Sequence, residues 1–148
     1  MIEFRNLFLL FMFYSIIGWI IEVINFYVTD KKMINRGFLI GTYCPIYGVA
    51  TVFMTCTLGK PNSDVFGIFA KSLIICSLIE YVTSYIMEKI FRKRWWDYSQ
   101  KKYNLNGRIC LSNMFLFGVA GCIMIYITNP FFYDIINNTS NIILTLLL

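Results

Sequence analysis

Long apolar stretches alternate with short polar segments along the 148 residues of the chain. A helix needs roughly 20 residues to cross the hydrocarbon core of a bilayer. Four stretches reach that length and predict transmembrane helices: Leu7–Val28, Phe38–Leu58, Val65–Met87 and Ile109–Thr128. The pattern therefore predicts an all-α membrane protein in which residues 1–148 form a single integral membrane domain.

The tail, residues 129–148, is harder to assign from its pattern. The polar run "NNTSN" interrupts it, and only "IILTLLL" follows. Such a segment fits a helix that lies in the membrane interface or a fifth transmembrane helix. We favour the interfacial helix.

A weak internal sequence repeat divides the rest of the chain into two halves. "IIEVINFY" in the first half resembles "LIEYVTSY" in the second, and "YGVA" is later echoed by "FGVA". Residues 7–58 and 65–128 are therefore interpreted as two pseudo-repeated helical hairpins. The second hairpin contains about a dozen additional residues, among them "RWWDYS".

Polar residues recur at steps of three and four on the first and third predicted helices, so they share one helical face. Glu22, Glu80 and Glu88 lie on these stripes. A carboxylate at membrane depth is costly and should face protein or a watery cavity. Glu22 and Glu80 are expected to pair with Arg36 and Arg108 and hold the helices together, or to form a ligand, ion or headgroup site, or to contact a partner protein.

The polar and aromatic segment "RWWDYSQKKYNLNGR" stands between two apolar stretches. Tryptophan and tyrosine side chains collect at the headgroup level of membranes. Arginine and asparagine donors where the chain re-enters the membrane suit a phosphate headgroup. We therefore predict an interfacial ligand or headgroup site built from Asn35, Arg36, Trp95, Trp96, Asp97, Tyr98, Asn106 and Arg108.

Composition and charge support lipid as the surrounding solvent. The chain is 58% hydrophobic and only 14% charged, against roughly 25% charged residues in soluble proteins. Of the thirteen Lys and Arg residues, ten lie in the first and third predicted loops. The positive-inside rule places those loops in the cytoplasm and the N-terminus outside. The net charge of +5 is thus interpreted as a topology signal, and no nucleic-acid partner is expected.

Several kinds of catalytic and metal site are excluded by the residues themselves. The chain has no histidine, which excludes Ser-His, Cys-His and His-metal chemistry. Its five cysteines lie in or beside apolar stretches without paired spacing, as small apolar side chains do. We expect no metal and no cofactor, and we expect that the chain is not an enzyme.

Four motifs in order resemble a known family: "YSIIGWIIE", "NRGFLIGTYCPIYG", "RWWDYS" and "NLNGRICL". The chain is similar to small bacterial membrane proteins described as type IV ABC-transporter permeases of the CmpB type. The resemblance covers roughly Leu7 to Pro130, with Thr42 standing where the family pattern has proline. It implies a multi-pass protein of the bacterial cell membrane that takes part in transport. It implies no particular substrate or site residues.

Three functions stay open at this point. A permease or other transport component would need a separate ATPase subunit or assembly into a homo-oligomer, because the sequence has no G-x-x-x-x-G-K-[ST] loop. A membrane scaffold would bind lipid or another protein. An intramembrane enzyme is the least favoured, because Glu22 and Glu80 could imitate a pair of catalytic aspartates only if they met.

Overall fold

The computed structural model of the protein describes residues 4–31, 35, 37, 41–58 and 64–139. These residues divide into two compact units: one holds those up to Phe53 and from Phe131 onward, and the other those from Met54 to Pro130. The elements in chain order are α1 (Phe4–Asp30), α2 (Pro45–Leu58), α3 (Val65–Phe91), β1 (Asn104–Leu105), β2 (Ile109–Cys110), α4 (Leu111–Ile123) and α5 (Asn129–Asn138).

Three of the described helices are long and apolar enough to cross a membrane: Phe4–Val28, Val65–Phe91 and Leu111–Asn138. The first and third predicted spans are confirmed as helices α1 and α3. Helix α3 begins at Val65 because Asp64 caps it, accepting a hydrogen bond at Oδ2 from the Gly67 amide at 3.0 Å. It ends at Phe91, and the capping residue Arg92 that follows has a left-handed φ of 53°.

The second predicted span, Phe38–Leu58, is not confirmed as a membrane-crossing helix. Helix α2 begins only at Pro45 and has 14 residues, or about 21 Å at the usual rise. Proline disfavours helical geometry in the residue before it. The Cys44 amide instead donates to the Ser15 carbonyl of α1 at 2.8 Å, and this contact fixes the start of α2. Residues 38–40 lie outside the described residues.

In the described residues, the fourth predicted span does not end at Thr128, because α5 continues directly from it; a separate interfacial or fifth helix in the tail is not confirmed. Residues Leu111–Asn138 form one apolar helical segment that contains a π-helical turn over Met124–Thr128. The Asn129 amide donates to the Met124 carbonyl five residues back. This wider turn precedes Pro130, which has no amide to donate, so the helix absorbs the proline without ending. Residues 140–148 lie outside the described residues.

Helices α3 and α4 pack closely within the second unit. A methyl group added to Gly118 would overlap the Phe69 ring, and one added to Gly121 would overlap the Ser72 side chain. Small residues one turn apart permit such an approach between membrane helices. The face of α3 that this packing covers is polar as well as apolar: its buried residues are Ile68, Ser72, Ser77, Glu80 and Ser84.

The segment between α3 and α4 contains a short antiparallel hairpin that the all-α prediction lacked. Leu105 pairs with Ile109, and Asn104 pairs with Cys110. Asn106 and Gly107 both have positive φ, at 54° and 67°, and the Arg108 amide donates to the Leu105 carbonyl at 3.0 Å. Asn-Gly is the dipeptide that suits such a turn. The two-repeat organisation stays a prediction.

Candidate functional site

Two arginines attach the segment between α3 and α4 to a single glutamate of α3. Arg94 Nε donates to Glu88 Oε1 at 3.1 Å, and Arg108 Nη2 forms an ion pair with Glu88 Oε2. Arg108 also donates from Nη1 to Ser84 Oγ at 3.2 Å. Its side chain is only 10% exposed, so the pair closes the end of the polar face of α3.

Aromatic rings complete the surroundings of Arg108. Its guanidinium lies 5.8 Å from the ring centre of Tyr81 and 5.4 Å from that of Tyr85. Both distances fall within the range of cation–π attraction. The Tyr81 hydroxyl in turn accepts a hydrogen bond from Asn106 Nδ2 at 2.9 Å. The turn of the hairpin is therefore fixed to the same face of α3 as the arginine.

Glu80 is buried at 7% exposure, and the segment reaches it through Tyr98. The Tyr98 hydroxyl donates to Glu80 Oε1 at 3.1 Å. The Tyr98 amide donates to the Gly107 carbonyl at 2.8 Å, so the tyrosine backbone is fixed against the hairpin. A carboxylate that lies within an apolar helix thus has a hydroxyl donor from outside that helix.

Asp97 organises the turn that precedes the hairpin. Its Oδ1 accepts hydrogen bonds from the Ser99 hydroxyl and from the Ser99 amide, the latter at 2.9 Å, and it lies 3.8 Å from Arg94 Nη1. The Ser99 hydroxyl, followed by the Ser99 amide and the Arg94 charge, lowers the pKa of Asp97 below its ordinary value. The carboxylate form therefore holds this turn.

The two tryptophans have different contacts. Trp96 is half-buried, and its Nε1 donates to the Arg108 carbonyl at 3.1 Å. Trp95 is 38% exposed, and its ring meets that of Phe91 edge-on with centroids 5.0 Å apart. Trp96 therefore braces the hairpin, while Trp95 extends the aromatic surface at the end of α3.

The first unit contains a second set of the predicted polar residues. Glu22 Oε1 accepts a hydrogen bond from the Tyr47 hydroxyl at 2.7 Å. Asn35 Oδ1 accepts from Trp19 Nε1 at 2.7 Å and from the Gly37 amide at 3.0 Å. In each unit, a membrane-depth glutamate accepts a hydrogen bond from a tyrosine.

The structure brings together six of the eight predicted site residues, together with Glu80 and Glu88: Trp95, Trp96, Asp97, Tyr98, Asn106 and Arg108. Asn35 lies in the other unit, and Arg36 lies outside the described residues. Arg108 does pair with a glutamate, but with Glu88 rather than Glu80. A ligand site that joins all eight residues stays a prediction.

The polar stripe predicted on α3 includes Ser84, but sequence reasoning missed Tyr81 and Tyr85, which α3 also contributes around Arg108. Tyr81, Ser84 and Tyr85 precede Glu88 by seven, four and three residues. That spacing puts all four on one helical face. The helical spacing of these residues was therefore visible in the sequence. The sequence did not show which arginine would contact this face.

The charged side chains of this cluster pair with one another. Two cations, Arg94 and Arg108, contact two anions, Glu88 and Asp97. The formal charges cancel, and each guanidinium has a carboxylate partner. The arrangement suits an element that must keep its shape at the end of a membrane helix.

Comparison with known proteins gives one match. A family profile described as "Putative ABC-transporter type IV" matches residues 9–148, nearly the whole chain. No curated protein and no solved structure matches it significantly. Together with the three apolar helices, the match identifies a membrane protein, and the chain belongs to the type IV ABC-transporter family of the CmpB kind.

Proposed function

We propose that this chain is a permease subunit, the membrane-spanning component of a bacterial cell-membrane transporter. ATP is hydrolysed by a separate subunit, and the chain itself catalyses no reaction. The N-terminus is outside the cell, and the segment between α3 and α4 is cytoplasmic. That segment, residues 92–110, is the contact through which the ATPase subunit acts on the membrane helices.

Three observations support a transport component that depends on another subunit. The family is one of ABC transporters. The helices are apolar enough to cross a membrane. The sequence has no phosphate-binding G-x-x-x-x-G-K-[ST] loop, which an ATPase of the P-loop class requires.

The observation that carries the coupling role is the attachment of residues 92–110 to α3. Arg94 and Arg108 bind Glu88 at the end of the helix, and Tyr98 binds Glu80 two turns deeper. A push on the segment from the cytoplasm would therefore be transmitted to a buried carboxylate. Charge-assisted contacts at the helix end are stronger than neutral hydrogen bonds and more specific in their geometry.

A lipid- or protein-binding scaffold is the alternative function. The observation that favours it is the cancellation of charge among Glu88, Asp97, Arg94 and Arg108. Such a closed network needs no moving partner. A scaffold would keep its contacts whether or not ATP is present, and it would associate with no ATPase.

Photocrosslinking from two exposed positions of the full-length protein in native membranes tests the proposal. One photoreactive residue replaces Gln100 in the cytoplasmic segment, and the control replaces Phe66, which is 82% exposed at the opposite end of α3. We expect the Gln100 probe to form an adduct with a protein that contains a P-loop. The Phe66 probe should form none.

The outcome of the experiment separates the two functions. Adducts at Gln100 that contain no nucleotide-binding protein would overturn the transport role and favour the scaffold. Equal P-loop adducts from both positions would overturn the role of residues 92–110 in the contact. Added ATP should change the yield at Gln100, because the contact is the one through which hydrolysis is coupled.

A further inference from the structure

A groove opens beside the hairpin at the point where the second unit changes from polar loop to apolar helix. Its volume is about 330 Å³, and it is lined by Lys101, Lys102, Tyr103, Leu111, Ser112 and Phe115. We propose that this groove binds the headgroup and first acyl carbons of an anionic phospholipid. The site is separate from the arginine–glutamate cluster and does not depend on the transport proposal.

The charge of the groove favours an anion. Lys101 and Lys102 are exposed, and in the described part of the chain neither forms an ion pair. None of the six lining residues is acidic. The nearby carboxylates of Glu88 and Asp97 are bound by Arg94, Arg108 and Ser99. Two uncompensated positive charges therefore remain beside the groove.

Part of the lining of the groove is apolar. Leu111 and Phe115 are one helical turn apart at the start of α4, and they are 47% and 58% exposed. Tyr103 lies at the rim with 82% exposure, as an amphipathic ring at the membrane interface does. A ligand that fills the groove must combine an anionic group with hydrocarbon, and an anionic phospholipid has both.

Contacts to the backbone of Lys101 and Tyr103 fix this part of the groove without a ligand. The Lys101 amide donates to the Tyr98 carbonyl at 2.8 Å, and the Lys101 carbonyl accepts from Asn104 Nδ2 at 2.8 Å. Tyr103 has a left-handed φ of 53°, and its carbonyl accepts from the Leu111 amide at 3.2 Å. A non-glycine residue in this conformation is held there by its surroundings. The groove is thus preformed.

Lipid labelling of the full-length protein tests the site. The protein is reconstituted in phosphatidylcholine vesicles that contain a minor fraction of photoactivatable phosphatidylglycerol, and labelled peptides are identified by mass spectrometry. We expect label on the peptide that contains Leu111 and Phe115. Photoactivatable phosphatidylcholine should label it far less. Excess inorganic phosphate should not compete, because it cannot use the apolar wall.

Matched variants separate a site from general attraction between charges. Lys101→Gln with Lys102→Gln should weaken phosphatidylglycerol binding by roughly 30-fold, from the contribution of two basic residues near an anionic surface. Lys89→Gln with Lys93→Gln removes the same charge outside the groove and should have a much smaller effect. Equal losses in the two double variants would overturn the proposal.

A second pair keeps the test decisive if the lysine variant does not fold. Phe115→Ala removes part of the apolar wall, whereas Leu116→Ala removes a side chain that is 65% exposed outside the groove. Only Phe115→Ala should reduce labelling. Equal labelling by both lipids, displacement by phosphate, or equal loss in both alanine variants would each reject an anionic-phospholipid site, whatever the photocrosslinking of Gln100 shows.

Discussion

Glu22 and Glu80 each have a tyrosine donor, but the two tyrosines come from different places. Tyr47 belongs to "YGVA" in α2 and binds Glu22. In the predicted repeat its counterpart is Phe117 of "FGVA", which has no hydroxyl. Tyr98, from the additional residues of the second hairpin, supplies the donor to Glu80 instead. The additional residues therefore supply the hydrogen-bond donor that Phe117 cannot provide.

Replacing Tyr98 with phenylalanine tests the value of this donor. The change removes one hydrogen bond to a buried carboxylate, so we expect the free energy of unfolding to fall by about 1 to 2 kcal/mol. Titration of the purified protein with a denaturing detergent measures it. Tyr103→Phe, at an 82% exposed position, is the control and should change little. Equal stability of the two variants would contradict the contact.

Arg108→Lys tests the planar geometry of the arginine. Lysine keeps the charge but cannot bind Ser84 and Glu88 with one planar group. We expect a Tm several degrees below that of the native protein. Arg92→Lys at an exposed position should leave Tm almost unchanged. A native Tm for Arg108→Lys would mean that charge alone holds the hairpin.

Acidification should loosen the turn at Asp97. Because the folded pKa of Asp97 is lowered, its stabilising contribution is fully present above the ordinary aspartate pKa of about 3.9. It is lost as the pH falls through the lower folded value. Hydrogen exchange at the Ser99 amide, corrected for its intrinsic rate, should therefore accelerate as the pH falls below about 4. An Asp97→Asn variant should show no such pH dependence.

At the scale of elements, the long helices were predictable and their interruptions were not. The start of α3 at Val65 follows from an apolar run with an aspartate before it, both visible in the sequence, whereas the helix continues four residues past the predicted end at Met87. The start of α2 depends on a contact between Cys44 and Ser15, which are distant along the chain. The helix across Pro130 depends on a π-helical turn that no local pattern announced.

The hairpin lies between these cases. Asn106-Gly107 is a strong local turn signal. The segment around it is polar and its strands are short, so the sequence did not indicate a hairpin between two membrane helices. Its position against α3 depends on the ion pairs that Arg94 and Arg108 form with Glu88. The sequence thus indicated the residues of the cluster, whereas their pairing required the folded loop.

Gly107→Ala tests the hairpin as an element. A methyl group there would lie 2.5 Å from both Asp97 Oδ1 and Ser99 Oγ, at a φ of +67°. We expect a loss of about 1 to 3 kcal/mol in the free energy of unfolding. Gly67→Ala is the control, because its methyl group would approach no atom closer than 3.7 Å. That variant should gain up to about 1 kcal/mol from its lower chain entropy when unfolded.

A native stability for Gly107→Ala would mean that the hairpin can change its backbone freely. The same outcome would weaken the argument that residues 92–110 act as a firm contact. Far-ultraviolet circular dichroism should show unchanged helix content in both glycine variants. The hairpin variant alone should expose Trp96 to a water-soluble fluorescence quencher, because that ring donates to the Arg108 carbonyl.

At the scale of the whole molecule, composition identified the membrane as the solvent, and the family match agrees with it. The number of membrane crossings was less predictable. Four spans were expected, but helix α2 has only 14 residues. Whether the chain crosses between the end of α1 and the start of α3 decides if the two basic loops share one side of the membrane.

Cysteine labelling in intact cells tests this topology. Single cysteines replace Lys31 at the end of α1, Phe66 at the start of α3 and Lys101 beyond the end of α3. All native cysteines are first replaced by alanine: Cys44, Cys56, Cys76, Cys110 and Cys122. The 27 residues of α3 rise about 40 Å, enough to separate Phe66 and Lys101 across the bilayer.

Because basic loops stay inside, an impermeant thiol reagent should label only Phe66→Cys. Labelling of both Lys31→Cys and Phe66→Cys would mean that the chain does not cross between α1 and α3. Labelling of Lys31→Cys and Lys101→Cys without Phe66→Cys would invert the topology. Disrupting the membrane should make all three positions reactive, which shows that protection came from the bilayer rather than from the fold.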